Sequence, residues 1–211
     1  MFKYWFTLSI LFFIHTQIIG GETDSLVSFI EQTKESPEKV DLMLDLSKNY
    51  FNSDTKKALE VADKALILAQ ELNYQSGEAY SHKNKGIAYY YRGDYISALE
   101  AWLASLEVFE SINDKVGIAN MQSNIGAIYY NEGDYNKALE YYLLSLKVSE
   151  EINDRLRILT ALTNIGALYT DDPSNHDLAL TYCFRALELS ESINEYDAIA
   201  TSSINIGEIY L

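Results

Sequence analysis

Cysteine is nearly absent. Cys183 is the one thiol in 211 residues, which excludes an internal disulfide and a multi-cysteine metal site. Positive charge is scarce as well: 16 Lys and Arg stand against 31 Asp and Glu, a formal net charge of −15. Phosphate binding needs a surplus of basic side chains, so nucleic acid is excluded as a partner of this region. An acidic surface repels anionic lipid headgroups in the same way. Proline occurs twice, at Pro37 and Pro173. No phosphate-binding glycine loop and no Gly-x-Ser-x-Gly elbow is present. Of the three histidines, His15 falls in the front segment, and neither His82 nor His176 has a second histidine at metal-ligand spacing. Asp171, Asp172 and Asp177 lack the ordered alternation and terminal Glu of a calcium loop and read as a solvated turn. The expectation is therefore no metal, no cofactor and no catalytic centre within these residues.

What is present is enough to build a core. Apolar residues make up 48% and charged residues 22%, a balance that argues against general disorder. The first residues have a separate character. Lys3 is followed by the apolar run Tyr4 to Ile14, a polar break at His15, Thr16 and Gln17, and then Ile18, Ile19, Gly20 and Gly21. A short basic start, an apolar centre and a small-residue exit are the parts of a secretory signal. The run is short for a transmembrane helix, which needs about 20 residues. A signal peptide over 1–20 is expected, cleaved after Gly20 or Gly21, with a retained anchor as the alternative. The mature chain is then exported, periplasmic or otherwise extracytoplasmic.

The rest repeats itself. Asn84-Lys85-Gly86, Asn124-Ile125-Gly126, Asn164-Ile165-Gly166 and Asn205-Ile206-Gly207 recur at 40, 40 and 41 residues. Tyr89, Tyr129, Tyr169 and Tyr210 follow each glycine by three, and Ala58, Ala98, Ala138 and Ala179 keep the same period. A period of this length marks stacked helical hairpins. Within a period Tyr135, Ala138, Leu139, Tyr142 and Leu146 fall on one helical face. Arg92-Gly93-Asp94 and Glu132-Gly133-Asp134 separate the two helices, with glycine suited to the left-handed turn and Asp to the next cap. Asn113-Asp114 and Asn153-Asp154 separate successive hairpins. The predicted fold is all-α, a right-handed superhelical solenoid of antiparallel hairpins. It is expected to comprise a lead helix from Ser25 to Lys34 and a linker (21–37), then an array over 38–211. The units are about 38–75, 76–115, 116–155 and 156–196, with a partial unit at 197–211.

Gly86, an aromatic three later at Tyr89, Ala98 opening the second helix, and then Trp102 and Ser105 resemble a tetratricopeptide repeat. The resemblance covers Val40 to Leu211, with Leu46 replacing the glycine in a degenerate first unit. Its usual unit is 34 residues and often closes with proline. Here Glu110, Glu150 and Glu191 stand near that place, as in the longer-repeat branch. The resemblance assigns packing roles to Gly86, Tyr89, Ala98, Trp102, Gly126, Tyr129, Ala138, Tyr142, Gly166, Tyr169, Ala179, Gly207 and Tyr210. Cys183 takes the place of Trp102 and Tyr142 and is expected to be a small buried side chain. The sequence stops inside a repeat, so a C-terminally truncated chain is expected. A signal segment, a lead helix and long repeats are together similar to the extracytoplasmic input region of bacterial membrane signalling proteins. Those proteins carry a histidine kinase or nucleotide cyclase output, and a membrane tether would lie downstream. A free secreted adaptor is the alternative.

In tetratricopeptide arrays the first helix of each hairpin lines the concave face, which implies a protein or peptide ligand there. The register puts Tyr80, Lys83, Asn84, Ile87 and Tyr91 on one strip. Asn120, Ser123, Asn124, Ala127 and Asn131 form the next, followed by Thr160, Thr163, Asn164 and Ala167. Lys83 and Asn124 match parts of a family clamp for a terminal carboxylate, but Ile87, Thr160 and Asn164 break it. What remains is a column of amides, Asn84, Asn124, Asn164 and Asn205, each offering donor and acceptor to a peptide backbone. The competing reading is that each amide bonds to the adjacent hairpin. Lys83, the four column residues and Asn131 are the candidate binding residues.

Overall fold

The structure, a computed structural model, describes residues 23–170 and 173–211. The expected signal segment and the loop residues Asp171 and Asp172 lie outside the described residues. Helix α1 covers residues 23–32. It is followed by α2 (Pro37–Tyr50), α3 (Thr55–Glu71), α4 (Gln75–Tyr91), α5 (Tyr95–Ser111) and α6 (Lys115–Asn131). Then come α7 (Tyr135–Glu151), α8 (Arg155–Thr170), a short turn of 3-10 helix (Pro173–Asn175), α9 (His176–Ile193) and α10 (Tyr196–Tyr210). The architecture is all-helical, with consecutive helices packed in pairs. No helix among the described residues is long and apolar enough to cross a membrane.

The turns show why the helices stop where they do. Asp54, Asp114 and Asp134 accept the backbone N–H groups of Lys57, Gly117 and Lys137 at 3.1, 2.9 and 3.2 Å, each satisfying an otherwise orphaned donor of the helix start. At the other end, Gly133 has φ of 78°. Its N–H donates to the Tyr130 carbonyl at 3.0 Å, while the Asp134 N–H reaches back to Tyr129 at 2.9 Å, the paired closure that a left-handed residue permits. Between hairpins Asn73, Asn113, Asn153 and Asn194 take the same region with φ of 53–60°, tolerated because the short amide side chain is compatible with it. Ser36 caps α2 through the Lys39 N–H with Pro37 in the first turn, where a missing N–H costs nothing.

The chain divides into two compact units, one up to Ala98 and one from Leu99. In the first unit α2, α3 and α4 pack in order, and α2 also touches α4. Val40, Leu44, Ala65, Leu68 and Ala69 form one buried cluster, and Ala58, Leu59 and Ala88 form another. In the second unit α6 to α10 pack each against the next, and the first helices α6, α8 and α10 lie side by side. Its core is Ala138, Tyr142, Leu146, Leu159, Ala161, Leu162, Ile165, Leu168 and Ala186. Two glycines let the helices of a hairpin close. A Cβ at Gly126 would sit 2.6 Å from the Tyr142 ring, and one at Gly166 would sit 2.7 Å from the Cys183 sulfur.

Burial is unequal along the second unit. Helix α6 buries Met121, Ile125 and Ile128, whereas α10 buries Ser202 alone. Local opening free energy follows buried apolar contact, and in stacked repeats it passes between neighbours. Amide hydrogen exchange should therefore be fastest in Tyr196–Tyr210 and slowest between Gly126 and Leu146. Equal protection through Tyr210 would show that something else covers α10.

Candidate functional site

The expected strips on α6 and α8 meet as one seam. The Asn164 amide nitrogen donates to the Ser123 hydroxyl at 3.2 Å, and the Arg157 Nε donates to the Asn120 carboxamide oxygen at 3.0 Å. Thr160 and Thr163 turn their hydroxyls back onto the carbonyls of Leu156 and Leu159 at 3.0 and 2.9 Å. Those hydroxyls donate within the helix and keep acceptor lone pairs for another molecule. Asn124 is half-buried. Its amide makes no hydrogen bond with the described residues, so it offers its donors and its acceptor together. The small side chains Ala127 and Ala167 follow on the same two helices, half-buried, leaving room for close backbone approach.

Arg157 was not legible as part of this seam. Its position three after Asp154 announces an ion pair at the start of α8, and that pair forms at 2.5 Å. Burial works against the Asp154 carboxylate, but hydrogen bonds from the Arg157 backbone and guanidinium prevail and lower its pKa. The reach across to Asn120, which ties α8 to α6, depends on the distance between helices and has no local signature.

The asparagine column is not uniform. Asn84, in the first unit, is 1% exposed and donates to the Leu44 carbonyl at 3.0 Å. Leu44 holds the column's own place one repeat earlier, so Asn84 ties one first helix to the one before it. Asn164 does the same through a hydroxyl instead of a carbonyl. Asn205 is half-buried, its amide nitrogen shielded from solvent with no acceptor in hydrogen-bond geometry. It lies beside the Cys183 thiol, whose pKa burial raises, while Thr170 and Asn205 pull it the other way. Lys83 is half-buried with its ammonium 5.3 Å from the centre of the Tyr80 ring, and Asn131 is exposed at the end of α6. His82 is half-buried; burial, then the charge of Lys85, lowers its pKa.

The residues expected at packing positions divide similarly. Gly86, Ala98, Trp102, Gly126, Ala138, Tyr142, Gly166, Ala179 and Cys183 are buried, and Tyr89, Tyr129 and Tyr169 are half-buried. Tyr129 stacks on Tyr141 of its own hairpin with ring centres 5.6 Å apart, and Tyr169 stacks on Tyr182 at 5.9 Å. Gly207 and Tyr210 are exposed, and a Cβ at Gly207 would meet nothing within 4 Å. The second helix that fills this place against Gly126 and Gly166 has no counterpart there among the described residues. Among those residues, no group of three His, Cys, Asp or Glu side chains is placed to hold a metal ion.

Residues 117–172 match a family model described as tetratricopeptide repeat. No curated protein sequence matches. Solved structures agree on the fold. The apo form of RapI superposes with a TM-score of 0.82 at 19% identity, over 99% of this chain and 77% of that one. A signal transduction ATPase with a tetratricopeptide repeat sensor from Pyrococcus horikoshii gives 0.77 at 20% identity, over 91% of this chain and 30% of that one. A Rap protein complexed with competence and sporulation factor gives 0.62 at 19% identity, over 91% and 58%. The chain thus spans less than two thirds of the last two. Its fold is that of tetratricopeptide repeat proteins.

Proposed function

We propose that this chain is a non-catalytic peptide- or protein-binding scaffold, exported and serving as the sensory region of a larger signal-transduction protein. The observation that carries the reading is the seam on α6 and α8: polar and uncharged apart from Arg157, with the Asn124 amide unengaged beside the Ser123–Asn164 bond. A half-buried amide with no internal partner is suited to a peptide backbone, which needs one donor and one acceptor per residue. A seam whose one charge, Arg157, is paired with Asp154 selects by backbone and shape, while the net charge of −15 disfavours acidic partners. Two similar structures support the class of ligand and the setting. One is a Rap protein with a bound factor, the other an ATPase in which the repeats form the sensor. In both, an array of this extent is part of a longer chain.

The test begins by selecting a peptide from a displayed library on the immobilised protein. Asn124→Ala combined with Asn164→Ala should weaken that peptide by about 1–3 kcal/mol, the usual effect of unpaired polar groups. The melting temperature should change little, because only the Asn164–Ser123 bond is lost from the chain itself. Unchanged affinity, or a library that yields no binder, would leave the seam a structural device.

A further inference from the structure

The first repeat departs from the others where its two helices face each other. Leu46 stands at the place of Gly126 and Gly166, and Ala62 at that of Tyr142. Beside Leu46, helices α1, α2 and α3 line a half-open cavity of about 330 Å³, within the range of small-molecule sites. Val27 and Ile30 of α1, Met43 and Leu46 of α2 and Val61 of α3 supply apolar walls. Lys39, Lys57 and Lys64 line the cavity together with Glu31 and Glu60, a local surplus of one positive charge in a chain of net charge −15.

The charges around the cavity are unevenly matched. Lys57 lies 3.8 Å from Asp54 and 5.5 Å from the centre of the Tyr50 ring. Glu60, which also lines the cavity, reaches Lys56 outside it at 4.0 Å. Lys39 and Lys64 form no ion pair among the described residues, and Glu31 is the remaining carboxylate. An apolar hollow with two unpaired ammonium groups at its edge, and three lysines against two carboxylates around it, matches an amphiphile with an anionic head. A carboxylate can accept charge-assisted hydrogen bonds from both lysines, while its tail leaves water for the apolar walls. An apolar cavity of about 150 Å³ holds benzene, so one of about 330 Å³ suits a chain of roughly ten heavy atoms.

We propose that this cavity binds a free medium-chain fatty acid, its tail against Met43, Leu46 and Val61 and its carboxylate between Lys39 and Lys64. The site is separate from the α6–α8 seam, and its test does not depend on the peptide reading.

The intact chain is titrated by calorimetry with decanoate, decanol and decyltrimethylammonium, each kept below its aggregation concentration. Decanoate should bind saturably, one per chain. Decanol should be weaker by about tenfold, the effect of losing two modest ion pairs, and the cation should not bind. Lys39→Gln with Lys64→Gln should reduce decanoate to the affinity of decanol, and Met43→Trp should abolish binding by filling the chamber. Asn124→Ala with Asn164→Ala should bind decanoate like the parent. No decanoate binding, equal binding of decanoate and the cation, or no response to the double lysine change would each overturn the proposal. If Met43→Trp does not fold, the lysine pair at the cavity's edge decides it.

Discussion

Gly126→Leu should destabilise the second unit by about 2–3 kcal/mol and Tyr142→Ala by about 3–5 kcal/mol, yet the two together should cost less than their sum. The first loss follows from geometry. A Cβ at Gly126 would lie 2.6 and 2.7 Å from two carbons of a ring that is 3% exposed, and 3.3 Å from the backbone oxygen of Ala138. The ring has no solvent to retreat into, so α6 and α7 would have to separate and lose packing. A helical Gly replaced by a better helix former regains about 1 kcal/mol, which only partly offsets the overlap. Removing the Tyr142 ring alone leaves a cavity in the core it shares with Leu146 and Leu162. In the double variant the leucine enters the room the ring vacated. The first repeat already carries this exchange of sizes, with Leu46 at the glycine place and Ala62 at the ring place, 5% and 0% exposed. A coupling of about 1–3 kcal/mol is expected for residues in contact. It should be read from hydrogen exchange of α6 and α7 amides in the parent, both single variants and the double. Strictly additive losses would show that the two positions do not share one space.

Asn84→Asp should cost about 3–5 kcal/mol at pH 7, the scale of an uncompensated buried charge, and the loss should shrink on acidification. Asn84 is 1% exposed, and its amide donates to the Leu44 carbonyl at 3.0 Å. A carboxylate in that place faces a carbonyl oxygen with no donor between them. Burial raises the pKa of such a group, so the folded variant holds a proton that the unfolded chain has released. Stability relative to the parent then falls as pH rises from about 4, the value of a free aspartate, and levels off above the folded-state pKa. Below about pH 4 the neutral acid can donate to Leu44 as the amide did. Asn84→Ala, which cannot titrate, should lose about 1–3 kcal/mol at every pH. Melting temperatures of parent and variants compared between pH 4 and pH 8 decide the point. A pH-independent Asn84→Asp deficit would mean that water reaches the site.

Helix ends were legible because each is written within a few residues. Asp114 caps the helix that begins beside it, and Gly133 closes the one that ends beside it. The places of Tyr142 and Cys183 were legible too, because the period aligns them opposite glycines whose missing side chains make room. The signal expected over 1–20 concerns residues outside those described. The lead helix expected from Ser25 to Lys34 runs over residues 23–32. At its end the Thr33 hydroxyl donates to the Phe29 carbonyl at 2.8 Å, a side-chain bond that competes with helix continuation.

The forty-residue recurrence and the helical spacing within it were sufficient for the all-helical hairpin fold, since both are properties of the chain read in order. The fates of four asparagines in one column were not readable that way. Asn84 is buried against the Leu44 carbonyl, Asn164 reaches the Ser123 hydroxyl, Asn124 keeps its amide unengaged and Asn205 rests by a thiol. Which partner each amide meets depends on how closely its helix approaches another, and that distance is set by packing on the far side of both helices. The cavity beside Leu46 has the same origin. The sequence shows a leucine where the glycine should be, but only three helices brought together show the space beside it and the lysines and carboxylates that line it.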